Sequence, residues 1–233
     1  MRFSYNFPAV KGVQAGREYY ISMVPLKLLP RLFPAEEDVV LPEYRAQRRI
    51  NESRIPEIKQ YILNNRDSYV FSALSASIDG EFRFESYNDG DVGILIVDME
   101  SIFLINDGQH RKAAIEAAMK EDPSLENETI SLVFFEDAGL ARSQQMFTDL
   151  NKHAVKTSNS LATLYDARDE IAVATKNIID TIPFFHRFTD KERDILGKNS
   201  SNLFTLNMMY KANQKILHGD HCDSSDESFL LSY

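Results

Sequence analysis

Hydrophobic and polar residues change period along this chain, and the changes mark its elements. Glu18 to Val24 (EYYISMV) has the β-branched and aromatic content of a strand, and Leu26-Lys27-Leu28-Leu29 opens a short helix that Pro30 is expected to limit. From Ser53 to Asn65, Ile55, Ile58, Tyr61 and Ile62 share one helical face, while Arg54, Glu57, Lys59 and Gln60 point elsewhere; Pro56 is tolerable in the first turn. Leu74, Ala76 and Ile78 alternate with Ser75 and Ser77, and Phe82 and Phe84 flank Arg83. The intervening Asp79-Gly80 is the strongest local hairpin signal, and Asn88-Asp89-Gly90-Asp91 is a second turn. Gly93 to Val97 and Ile102 to Ile105 are apolar at every position, as strands covered on both faces are, and Ile130 to Phe135 repeats that character after a helix over Arg111 to Lys120.

Beyond Gly139 the strand signals stop. Leu140, Gln144, Phe147 and Leu150 mark one helix, Leu161 through Ala172 a second, and Leu203 through Leu217 a third, with Gly197 to Asn202 as a linker or cap. The expected organisation is α/β (α+β): a mixed-sheet layer over 1–138, a helical subdomain over 139–217, and an acidic, flexible tail over 218–233. There is no internal repeat and no low-complexity tract.

Composition changes this picture only locally. The 233 residues are 43% hydrophobic and 26% charged, enough to bury a sizeable core, and no run approaches the ~18 apolar residues of a membrane span. The Met-Arg-Phe-Ser-Tyr start lacks the apolar region of a secretory signal, and the single Cys222 cannot form an intramolecular disulfide, so cytoplasmic residence is expected. A net charge of −9 repels nucleic acid on average. Between Leu41 and Arg66 the balance reverses: Arg45, Arg48, Arg49, Arg54, Lys59 and Arg66 outnumber Glu43, Glu52 and Glu57. These cations suit a DNA backbone, for which lysine and arginine supply affinity without reading sequence; the alternative is a solvated helix face. After His218 the chain carries four acids and no lysine or arginine.

The richest chemistry lies at Asn106-Asp107-Gly108-Gln109-His110-Arg111, where an apolar strand gives way to the alanine-rich start of a helix. Such a junction aims free backbone amides at one point, the geometry that receives a phosphate. Gly108 permits close approach and Arg111 offers a bidentate charge. Asp107 could hold Mg²⁺ or orient a water, Gln109 could position that water, and His110 could move a proton. The structural alternative is an ordinary N-cap and turn, with Arg111 paired to a nearby carboxylate. Asn151 and Lys152 close the Leu140 helix, either complementing its dipole or supporting a phosphate site. Arg187, Lys191, Arg193 and Lys198 alternate with acids, which suggests intrahelical pairing. His218, His221 and Cys222 are too few and too local for zinc, and neither a Gly-x-x-x-x-Gly-Lys-[Ser/Thr] nor a His-Glu-x-x-His string occurs.

Asp107-Gly108-Gln109-His110-Arg111 is the string of the DGQHR-domain proteins. With Ala46-Gln47-Arg48-Arg49-Ile50 upstream and Phe147-Thr148-Asp149-Leu150-Asn151-Lys152 downstream, the chain to about Leu217 resembles the DndB family, encoded beside DNA phosphorothioation enzymes. That resemblance implies a ParB/sulfiredoxin-like fold whose equivalent turn binds nucleotide phosphates. It also implies a DNA-binding negative regulator of a sulfur-modification operon, with promoter DNA, the modification enzymes or a second copy as partners. A related motif in nucleoside-triphosphate-hydrolysing proteins implies ATP or GTP with Mg²⁺, with Asp107, Gln109 and His110 catalytic and Gly108, Arg111, Arg48, Asn151 and Lys152 on the phosphates. Sulfiredoxins carry a cysteine in the corresponding turn; Gln109 stands there instead, which argues against their sulfur chemistry.

Overall fold

The computed structural model describes residues 3–34, 51–137, 139–152 and 157–218. Its contacts divide the chain into two compact units, the first ending at Ala154 and the second beginning at Val155.

The first unit is built on a seven-stranded sheet: β1 (Ser4–Gln14), β2 (Arg17–Pro25), β3 (Leu74–Asp79), β4 (Phe82–Ser86), β5 (Val92–Asp98), β6 (Ile102–Asp107) and β7 (Thr129–Glu136), in the order β4-β5-β1-β2-β7-β3-β6. All neighbours are antiparallel except β3 and β7, so the sheet is mixed. Alternate residues of each strand turn inward. Phe7 and Ala9, Tyr20 and Val24, Leu95 and Val97, Phe103 and Ile105, and Leu132 and Phe134 line one continuous core.

That core forces the sheet to curl. β1 and β6 stand four strand spacings apart, ~19 Å if the sheet were flat at about 4.8 Å per strand. Yet the rings of Phe7 and Phe103 lie 6.4 Å apart, and both contact Phe134. Helices α1 (Leu29–Leu32), α2 (Ile55–Asn64) and α3 (Gln109–Glu121) contribute Leu29, Leu32, Ile62, Ile115, Ala118 and Met119 to the same cluster.

Several sequence expectations change. Pro30 sits in the first turn of α1, where its missing N–H is harmless, and so begins that helix rather than limiting it. β1 is an unmarked strand because Pro8 interrupts an otherwise clear alternation of Tyr5, Phe7 and Ala9. Asp79-Gly80 makes no hairpin: β3 pairs with β6 and β7, while β4 pairs with β5 near the other end of the strand order. Only Gly80 and Glu81 separate β3 from β4, so the ends of the curled sheet come together there. Gly80 is required by contact, since a Cβ would lie 2.4 Å from Ser101 Oγ. The Asn88-Asp89 turn does close the β4–β5 hairpin, with both residues at positive φ. β6 is an edge strand, and outward-facing Ile94, Ile96 and Leu104 are half-buried rather than covered.

Helix α4 (Leu140–Lys152) contacts β6 and falls in the first unit. The second unit holds α5 (Asn159–Tyr165), α6 (Glu170–Thr181), α7 (Pro183–Phe188) and α8 (Leu206–His218), plus a two-residue parallel ladder of β8 (Thr189–Asp190) with β9 (Phe204–Thr205). The stretch expected as one helix over Leu161 to Ala172 is two, because Asp166 accepts the amides of Arg168 and Asp169 and turns the chain. Asp169 then caps α6 through the amides of Ile171 and Ala172. The basic group 187–198 is not helical beyond Phe188. Asp190 and Asp194 accept backbone amides, and Lys191 pairs with Asp180 of α6.

Candidate functional site

β6 delivers the Asp107–Arg111 turn to the start of α3. Its pairing with β3 skips a residue: Ser75 faces Asp107 and Ala76 faces Ile105, so Asn106 is bulged and opposes nothing. Bulges re-aim the chain, and here the bulge immediately precedes the turn. Asn106 is fully buried. Its Nδ2 donates to Ser77 Oγ at 2.7 Å and to Met146 Sδ of α4 at 3.2 Å, while Oδ1 has no partner.

Gly108 is the N-cap of α3 at φ 103°, ψ 15° and brings no side chain to cap the first turn. A Cβ there would lie 2.3 Å from Cδ2 of Leu74, itself fully buried. The positive end of α3 therefore starts at a residue with room for nothing larger than hydrogen. Gln109, the first residue of α3, is buried.

Arg111 reaches back across the turn. Nη2 donates to Asp107 Oδ2 at 2.5 Å, and Nη1 donates to the carbonyls of Ser72 (2.7 Å) and Ala73 (3.0 Å) and to Ser72 Oγ (2.5 Å). The guanidinium thus fastens the residues leading into β3 to the end of β6, which is the carboxylate pairing the sequence left open. Asp107 shares its carboxylate with that arginine. Among the described residues no group of three or more His, Cys, Asp or Glu side chains is placed to hold a metal ion by itself, so at Asp107 the protein offers a single carboxylate, shared with Arg111. His110 Nε2 accepts the backbone amide of Asn51 at 2.9 Å, which requires Nε2 to be unprotonated.

Of the basic residues marked in the sequence, Arg45, Arg48 and Arg49 lie outside the described residues. Asn51, the next described residue, is in contact with the turn. Arg54 is exposed in the 3-10 turn over Glu52–Arg54 and pairs with no carboxylate among the described residues. Lys59 of α2 is ion-paired with Glu121 of α3 at 2.8 Å. Asn151 and Lys152 end α4, and their side chains lie outside the described residues, as do His221 and Cys222.

One feature has no local signature in sequence. A cleft of about 540 Å³ is lined by Met23, Arg66, Tyr69, Phe71, Ile115 and Glu128, among others. Arg66 bridges Asp122 and Glu128, each at 2.8 Å, and Tyr69 donates to Glu128, so burial and that carboxylate push the Tyr69 hydroxyl up to about 12. Its walls come from four segments, around Met23, Arg66 to Phe71, Ile115 and Glu128, which no spacing rule links.

A curled mixed sheet, a glycine turn opening α3 and a separate helical unit define a mixed α/β protein with a polar junction at the end of an edge strand. No helix among the described residues is long and apolar enough to cross a membrane. The chain belongs to the DndB family, described as DNA-sulfur modification-associated, whose model matches residues 7–230. No curated protein and no solved structure matches the chain.

Proposed function

We propose that this protein is a DNA-binding negative regulator of a DNA sulfur-modification operon. The observation that carries the reading is membership of the DndB family across nearly the whole chain, and the turn supplies a physical centre for it. Asn51, the first described residue after the arginine-rich stretch, touches His110, and the exposed Arg54 follows three residues on. Arg54, in the 3-10 turn that Asn51 ties to His110 near the positive end of α3, gives a cationic group that an anionic backbone would meet, despite the net charge of −9. On this reading the α/β unit is ParB/sulfiredoxin-like, and Arg45, Arg48, Arg49 and Arg54 contact phosphates in the promoter. The modification enzymes and a second copy are further partners to test.

Gel-shift titration against the operon promoter and an unrelated duplex, at fixed salt, tests this. Preference for the promoter of about a hundredfold or more is expected, and equal affinity for the two sinks the proposal.

The glycine at the N-cap of α3, which brings no side chain of its own, favours a second reading, a nucleotide phosphate seated at Gly108 with Gln109 and His110 beside it. Arg111 and Asp107 already hold each other, which makes them framework for such a site before they are ligands. Phosphate release from ATP or GTP with Mg²⁺, lost in a Gln109 or His110 variant that remains folded, would support it.

A further inference from the structure

We propose that the Asp107–Arg111 turn is a clasp holding both ends of residues 51–73, with His110 and Arg111 as positioning residues that set how α2 and the turn before it are presented. The two side chains are neighbours in sequence but grip opposite ends of one excursion. His110 Nε2 takes the Asn51 amide at 2.9 Å, while Arg111 Nη1 takes the Ser72 and Ala73 carbonyls at 2.7 and 3.0 Å. Between these anchors lie the 3-10 turn with Arg54 and the whole of α2.

Asn51 is built as the joint. Its Oδ1 accepts from Ser53 N and Ser53 Oγ, fixing the 3-10 turn, while its backbone amide docks on the imidazole. The far anchor is braced by Asp107, which orients the guanidinium, and by Ser72 Oγ. α2 packs along α3 between the anchors and is tied to it by Lys59–Glu121. Gly108 permits the arrangement because a larger residue would press on both Leu74 and the Arg111 guanidinium, whose Nη2 and Cζ stand 3.2 and 3.3 Å from the position of a Cβ.

Chemistry makes the two anchors unequal. Arginine stays charged throughout the physiological range, so its grip is constant. An imidazole accepts a hydrogen bond at Nε2 only when that nitrogen carries no proton, so imidazolium formation releases Asn51. The charged groups on the elements meeting there, among the described residues, are Asp107, Arg111 and Lys112 around the α3 start, Glu52 and Arg54 on the 3-10 turn, and Glu57 and Lys59 on α2. Of these, Asp107 is held by Arg111, Lys112 by Glu116 and Lys59 by Glu121. The proximal end of α2 is therefore the releasable one. Its consequence for DNA binding rests on the regulator reading; the clasp itself does not.

The test follows the Asn51 amide by NMR in the full-length, ¹⁵N-labelled protein, with His110→Gln and His110→Ala beside it. In the wild type the Asn51 resonance should titrate together with the His110 ring signals, with hydrogen-exchange protection falling about tenfold beyond the intrinsic pH effect as the ring protonates. Glutamine, whose Oε1 can accept the same bond, should keep the amide protected without that titration, and alanine should expose it at every pH. A wild-type Asn51 amide indifferent to His110 ionisation, or an alanine variant with unchanged protection, overturns the clasp. On promoter DNA at pH 8 and fixed salt, His110→Ala should bind about fivefold more weakly than His110→Gln. Equal affinities overturn the positioning role. Absence of promoter binding by every form, with the Asn51 titration intact, supports the clasp and removes the regulator reading alone.

Discussion

At the scale of single residues, Gly108 shows why the turn tolerates so little change. Its backbone at φ 103° is a conformation L side chains rarely adopt, and the Leu74 methyl that a Cβ would strike is itself fully buried. Strain of about 1–3 kcal/mol and overpacking of similar size should therefore add in Gly108→Ala. Urea unfolding should show a midpoint lowered by the equivalent of at least about 2 kcal/mol; a variant as stable as the parent would mean the turn adapts freely. Arg111 is the complementary case. The sequence offered either a phosphate ligand or a partner for a carboxylate, and residue type alone could not choose. In the structure its guanidinium is bonded to Asp107, Ser72 and Ala73, because the chain that precedes β3 is folded to within reach of the α3 start.

At the scale of elements, caps and partners come from both near and far in sequence. Asp169 accepts the Ile171 and Ala172 amides at the head of α6 and the hydroxyl of Tyr210 from α8 at 2.6 Å, so one carboxylate starts a helix and ties it to another. The Tyr210 bond, with the two amides, holds the Asp169 carboxyl below its ordinary range, and the same carboxylate pushes the tyrosine up to about 12. Asp169→Ala should cost about 1–2 kcal/mol for the cap and about 1 more for the stranded hydroxyl, read from the thermal midpoint and from helical circular dichroism. Tyr210→Phe, which leaves the cap in place, should cost less than Asp169→Ala; the reverse order would place the stability elsewhere. Helix positions in this unit were legible from apolar periodicity, but the break at Asp166 was not. It depends on an acid using its side chain against its own following amides, and the periodic pattern runs straight through it.

At the scale of the whole molecule, the carboxylates share a direction. Glu18, Asp122, Asp169, Asp180, Asp190 and Asp194 all sit below their ordinary values. Tyr20 holds Glu18, Ser124 holds Asp122, Lys191 holds Asp180, and the amides of Arg193 and Glu192 hold Asp190. Asp194 is pushed up by burial, but the amides of Asn159 and Ser160 more than offset it. A group whose folded value is depressed contributes stability that is present above its unfolded value and disappears as pH falls through the folded one. Both units carry such groups, so denaturant midpoints should be level above about pH 5 and fall steadily below about pH 4. Midpoints unchanged between pH 7 and pH 3 would contradict this account.

The sequence by itself determined which stretches are strand or helix over most of the chain, the mixed α/β class, the helical second half and the junction at Asp107–Arg111, because period, turn residues and apolar runs are local properties. Only the tertiary structure decided that β3 leaves its neighbour β4 for β6 and β7, that β6 stands at an edge, that Arg66, Tyr69 and Glu128 share a cleft, and that His110 and Arg111 reach Asn51 and Ser72. Alternation says that a strand has an inner face but not which strand lies beside it. That choice falls to the curled sheet, which closes around Phe7, Phe103 and Phe134 and brings residues from distant segments within a hydrogen bond of one another.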